Sequence, residues 1–124
     1  MRFLLSSAAL GLACCWQVTA AESVRILVQT SPLAGGQYYA LAEVSSQIRP
    51  GDRLELIREP GNRHDHKAIR VEWNGRRLGY LPRSENAAVA RALDDGEQLE
   101  ARVARVRDHP DPWRRVEIEV LLIL

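Results

Sequence analysis

Apolar and polar positions alternate in short runs along most of this chain, and the breaks between runs mark its elements. Val24-Arg25-Ile26-Leu27-Val28 is β-branched and predicts a first strand, ended by Ser31-Pro32 and Gly35-Gly36. Tyr38-Tyr39-Ala40-Leu41-Ala42 reads as strand again, and Arg49-Pro50-Gly51-Asp52 as a turn. Leu54, Leu56 and Arg58 alternate with Arg53, Glu55 and Ile57, the pattern of a strand buried on at least one face. Ala68 to Trp73 alternates cleanly into Asn74-Gly75, a two-residue hairpin signal because both positions tolerate positive φ. Arg76 to Leu81 is the returning strand, and Pro82 stops it. Ser84 is placed to cap a helix running through Leu93, with Val89 and Leu93 inward and Gly96 just past its end. Two long alternating runs finish the chain: Leu99, Ala101, Val103 and Val106, then Trp113, Val116, Ile118, Val120 and Leu122, with a turn at His109-Pro110-Asp111-Pro112. The pattern predicts a mainly β fold of about six strands with one or two short helices, hairpin-linked and closed or half-closed into a small barrel. Closure would remove the edge that the apolar Val120 to Leu124 run otherwise exposes.

Length and composition change this picture chiefly at the N-terminus. With 124 residues, 46% of them hydrophobic, the chain can bury one modest core. Arg2, the apolar run Phe3 to Trp16, and Val18-Thr19-Ala20 or Thr19-Ala20-Ala21 as a cleavage site read as a removable secretory signal. The expected division is a leader over residues 1–21 and a domain over residues 22–124, exported to the periplasm or secreted, with no membrane span in the mature chain. Leu12-Ala13-Cys14-Cys15 faintly resembles a lipobox, but the tandem cysteines fit it poorly and ordinary cleavage is preferred. Both cysteines fall in the leader, so the mature domain is expected to stand on its core without a disulfide. Losing Arg2 from the 17 Lys+Arg leaves them equal to the 16 Asp+Glu, which argues against a chain-wide basic footprint for nucleic acid. Phosphate recognition then has to come from local clustering of Arg58, Arg63, Lys67, Arg70, Arg76, Arg77 and Arg83, of which Arg70 and Arg76 read as solvated strand faces.

Candidate chemistry concentrates in Glu59-Pro60-Gly61-Asn62-Arg63-His64-Asp65-His66-Lys67-Ala68-Ile69-Arg70-Val71 and in Leu78-Gly79-Tyr80-Leu81-Pro82-Arg83. Pro60-Gly61-Asn62 makes a turn in which Asn62 can bond its own backbone and stiffen the loop. His64 and Asp65 face the mouth before the strand begins at Ala68, and Tyr80 ends the partner strand of the same hairpin. An aromatic for a base, a carboxylate for a hydroxyl and guanidiniums for phosphate suit the end of a single-stranded nucleic acid.

These residues, with Gln37-Tyr38-Tyr39 upstream, resemble the HIRAN domain, found at the N-terminus of some SNF2-type remodelling helicases and as a stand-alone bacterial unit. The resemblance spans about Leu33 to Val106 and rests on an acidic residue, Pro, any residue, Asn, two residues, Asp, two residues and Ala-Ile-x-Val. It implies an OB-like or SH3-like barrel that recognises DNA, the helicase-linked versions gripping a 3′-hydroxyl end. By matching position, Tyr38 and His64 would flank the terminal bases and Asp65 would accept a hydrogen bond from the terminal hydroxyl. Asn62 would support the loop, Arg83 would meet a phosphate, and Tyr80 would shape the wall. Two positions depart from the helicase-linked pattern: Gln37 stands where that pattern has an arginine, and His64 replaces a tyrosine with a smaller, titratable ring.

The favoured reading is therefore a monomeric, non-catalytic module for single-stranded nucleic acid or another phosphate- or hydroxyl-bearing ligand, without a cofactor. Its rival is an exported adaptor that keeps the barrel and binds a protein or cell-wall partner. A weak zinc site at His64, Asp65, His66 and His109 is disfavoured, because adjacent residues on an extended segment point in alternate directions. A hydrolase lacks support in the sequence, which shows no nucleophile elbow and no glycine-rich phosphate loop; the ATPase of the helicase-linked relatives belongs to another domain. Tyr39, Trp73 and Trp113 are expected as packing rather than as ligand platforms. Asp65 serves equally well as the cap of its own turn, and Arg83 as decoration of the helix start.

Overall fold

A computed structural model describes residues 23–124 together with Gly11. The expected leader and its cysteine pair otherwise lie outside the described residues. The elements are β1 (Arg25–Pro32), a 3-10 turn (Gly36–Tyr38), α1 (Leu41–Val44), β2 (Arg53–Arg58), β3 (Ile69–Trp73) and β4 (Arg76–Tyr80). A second 3-10 turn (Arg83–Glu85), α2 (Ala87–Asp94), β5 (Leu99–Val106), a third 3-10 turn (Pro112–Arg114) and β6 (Val116–Ile123) follow. The strands form a six-stranded sheet in the order β1-β6-β5-β2-β3-β4. Every pairing is antiparallel.

Period-two burial explains which way each strand faces. Ile69 and Val71 of β3, Ala101 and Val103 of β5, and Val116, Ile118 and Val120 of β6 are buried in one cluster with Leu33, Leu41, Val44, Ile48 and Leu54. Asn74 and Gly75 take φ of 47° and 77°, so the β3–β4 hairpin turns as its two-residue signal requires. The barrel is half-closed. No continuous ladder joins the outer strands β1 and β4; the chain just past β1 meets the end of β4 in a single bridge, Ala34 with Tyr80. That bridge is made by two backbone bonds, Ala34 N–H to Tyr80 O at 2.8 Å and Tyr80 N–H to Ala34 O at 2.9 Å.

Three expected elements differ. The first is β1, which continues through Ser31 and Pro32, where they pair with Ile118 and Glu117, although Ser31-Pro32 was expected to end it. The strand expected over Tyr38–Ala42 is instead a 3-10 turn followed by α1. Gly35, at φ 72°, turns the chain directly after Ala34 has bonded, and Leu41 and Val44, three residues apart, bury one face of a helical turn. The helix expected from Ser84 begins at Ala87, after a 3-10 turn, and Asn86 stands at its N-terminus with its side chain spent elsewhere. Its far end is as expected. Gly96, at φ 77°, donates to Leu93 O at 3.1 Å, and Glu97 donates to Ala92 O at 3.0 Å, a Schellman closure. Arg70 is not a solvated face, since it pairs with both Glu59 and Glu72. Among the described residues, no helix is long and apolar enough to cross a membrane.

Candidate nucleic-acid interface

The connection from β2 to β3 is braced from within. Glu59 N–H donates to Ala68 O at 2.9 Å across its base, and Asn62 N–H donates to Glu59 O at 3.1 Å in the turn made by Pro60 and Gly61. Asn62 Oδ1 accepts from the backbone of His64 at 2.9 Å and of Asp65 at 3.3 Å, while its Nδ2 donates to Glu59 Oε1 at 3.1 Å. Asp65 caps the next turn, accepting from Lys67 N–H through Oδ1 at 2.9 Å. The local chemistry of Asx turns therefore fixes this loop before any ligand arrives.

Two further contacts lock the loop to the rest of the domain. Glu59 is the first hub: Oε1 also accepts from the Tyr80 hydroxyl at 2.9 Å, and Oε2 pairs with Arg70 Nη1 at 2.8 Å. Burial works to raise the Glu59 carboxyl, but bonds from Asn62 and Tyr80 and the pairing with Arg70 outweigh it and hold the group below its ordinary range. Burial and the bond to Glu59 push the Tyr80 hydroxyl up to about 12. Asn86 is the second hub, a buried amide at 1% exposure whose Nδ2 donates to Asp65 Oδ2 at 2.7 Å. Burial opposes ionisation of Asp65 as well, yet the Lys67 amide, Asn86 and the charges of Arg83 and Lys67 leave it below its ordinary value. A carboxylate offers about four acceptor sites, and these bonds use two of them.

The loop, the end of β4 and the β5–β6 connection enclose a groove of about 340 Å³. Asn62, His64, Asp65, Tyr80 and Arg83 line it, so five of the seven residues expected at the site share one cavity. Gln37 and Tyr38 do not line it. Both are exposed on the neighbouring 3-10 turn, Tyr38 at 78%. Tyr39 takes the wall position, its ring centroid 5.8 Å from that of Tyr80 at 58° between planes. Arg77 lies over both rings, 5.1 Å from Tyr39 and 6.0 Å from Tyr80. Trp113, 45% exposed, also lines the groove. Tyr39 and Trp113, expected as packing, are thus groove walls, whereas Trp73 does pack against the core and donates to Asp52 at 3.1 Å.

The histidines diverge. His64 lines the groove, while His66 lines an adjacent depression with Lys67, Arg83 and Asn86, and its Nδ1 lies 3.3 Å from Pro60 O. His109 is on another loop, where its Nδ1 accepts from Asp111 N–H. Among the described residues, no group of three or more His, Cys, Asp or Glu is placed to hold a metal ion.

From the sequence, Glu59 had a place in the motif but no role of its own, Arg77 was one member of a basic cluster, Tyr39 and Trp113 were expected as packing, and Asn86 was missed. Glu59 stands in the quoted motif, and its spacing of three from Asn62 was the available signal. Asn86 carried none, because its partner Asp65 is 21 residues away.

A half-closed antiparallel barrel with a stiff polar loop and an aromatic-walled groove at its rim is the framework of a small ligand-binding module. A sequence model of the HIRAN domain matches residues 26–124, and the chain belongs to that family. The HIRAN domain is a nucleic-acid-binding module and is not itself catalytic. A crystal structure of a Lactobacillus plantarum protein superposes with a TM-score of 0.70 at 25% identity, covering 82% of this chain and 98% of that one. The HIRAN domain of human HLTF superposes with a TM-score of 0.63 at 22% identity, covering 82% of this chain and 78% of that one. No curated protein matches the chain in sequence.

Proposed function

We propose that the groove holds the 3′ end of a single-stranded DNA and performs no reaction on it. One observation carries this reading: a carboxylate with acceptor sites to spare, Asp65, is held by Lys67 N–H and Asn86 inside a groove walled by Tyr39 and Tyr80. A terminal hydroxyl can donate to Asp65, and the aromatic faces accept a base of any identity. His64 and the exposed Tyr38 flank the terminal bases, Arg83 meets a phosphate, and Asn62 holds the loop. Gln37 then sits beside the strand as a neutral contact.

The test compares 5′-labelled oligonucleotides that differ only in a free or a phosphorylated 3′ hydroxyl. Wild-type protein is expected to prefer the free end by tenfold or more, the worth of about 1.5–3 kcal/mol for a hydrogen bond to a charged group. Asp65→Ala should bring that ratio to near unity. The ratio is the readout, so a general loss of affinity in the variant cancels. Equal binding of both ends by the wild type sinks the reading.

The leader reading places this module outside the cytoplasm. Mass spectrometry of the mature protein should then find an N-terminus near Ala21 or Glu22, and an intact Met1 would count against export.

A further inference from the structure

Trp113 borders two grooves. The first is the pocket above; the second, of about 360 Å³, shares Trp113 with it and is lined by Thr30 and Ser31 of β1 and by Arg105, Arg107 and Arg114. We propose that this second groove carries the continuation of the same single strand, with Arg105 and Arg107 on its phosphates. The inference rests on the pocket reading, and extends it from a terminus to a track.

The arginines are brought there by a defect in the ladder. Strict alternation from the buried Ala101 and Val103 would send Arg105 into the core. The β5–β6 register instead shifts between Val103 and Arg105, so Val103 faces Ile118 while Arg105 faces Glu117. This bulge turns Arg105 outward, and Val106 takes the inward position against the core. Arg107, two residues on, follows Arg105 to the exposed side.

Their charge is uncommitted. Arg25, Arg58, Arg70, Arg76 and Arg102 all pair with carboxylates. Among the described residues, Arg105 and Arg107 make no ion pair and no side-chain hydrogen bond, and Arg114 makes a long one, 3.7 Å to Asp111. The groove's carboxylate, Glu117, leaves three guanidiniums against one acid. In a chain whose formal net charge is only +1, such a local excess beside an aromatic-walled pocket fits a polyanion that passes from one groove to the next.

The experiment titrates wild-type protein and Arg105→Ala/Arg107→Ala with 5′-labelled oligothymidylates of about 3 and about 10 nucleotides, lengths that bracket the smallest footprints of OB-type domains. The control is Arg53→Ala/Arg91→Ala, which removes two exposed arginines outside both grooves. The wild type is expected to bind the longer strand about tenfold more tightly, and the groove variant to lose that gain while binding the short strand normally. Its salt slope on the long strand should fall by about 1.4, at about 0.7 per phosphate contact on single strands. The proposal is overturned if the wild type shows no gain with length, if the groove variant keeps the gain, or if the control loses it equally. Binding of the short strand alone would leave the pocket reading standing; absence of binding at any length would remove both.

Discussion

Glu59→Gln is expected to lower the Tyr80 pKa from about 12 part of the way toward 10, and to cost about 1–2 kcal/mol of stability. The neutral amide can still accept from Tyr80 or from Asn62, but it no longer supplies the charge that disfavours tyrosinate or that pairs with Arg70. The fall is partial because burial, the larger cause of the shift, stays. Spectrophotometric titration of the tyrosines reads the first effect, and a Tyr80 titration unchanged from wild type would show that Glu59 is not a cause. The same variant should flatten the acid limb of stability. Glu59 and Asp65 both have folded pKa values below their ordinary ones, so each contributes stability above the ordinary carboxylate range, lost as pH falls through the folded value. Removing the Glu59 contribution makes denaturant midpoints less steep in pH below about 4. Because Glu59 also fixes Asn62 and Tyr80, oligonucleotide affinity should weaken with it.

Gly79→Ala is expected to be more damaging, costing about 3 kcal/mol and lowering the midpoint of thermal unfolding by more than about 10 °C. A Cβ at Gly79 would lie 2.3 Å from the Ala34 carbonyl oxygen and 3.1 Å from a Leu33 methyl. The first contact is with backbone, so it cannot be relieved by a change of rotamer. Relief requires the segment after β1 to move away from β4, and that opens the Ala34–Tyr80 bridge on which the half-closed barrel depends. Hydrogen exchange at the Ala34 and Tyr80 amides separates this cause from general destabilisation, since both should lose protection before Ile69 and Val71 do. A variant with wild-type midpoint and protected amides would mean that the two strands can part without cost.

Much of the site was legible because it is local. Asn62, two and three residues from the amides it accepts from, had to stiffen the loop however the sheet was arranged. Asp65, two residues before Lys67, capped its turn for the same reason. The Tyr38-Tyr39 pair shows the limit. Both residues are aromatic, the expected strand was a 3-10 turn and a short helix, and only placement against Tyr80 selects Tyr39 for the wall. Trp113 likewise looks like any apolar residue after a turn until the β5–β6 connection sets it between two grooves.

By itself the sequence determined the alternation that builds β2 to β6, the Asn74-Gly75 hairpin, the Gly96 helix end and the braced loop from Glu59 to Ala68. Each depends on neighbours within a few positions, where backbone propensity and side-chain reach decide the outcome. Tertiary structure decided the half-closure through Ala34 and Tyr80, the locking of Asp65 by a buried amide 21 residues away, and the outward turn of Arg105 at a bulge. Those three arise from strand register and from contacts distant in the chain, which hydrophobic pattern constrains only to within a face.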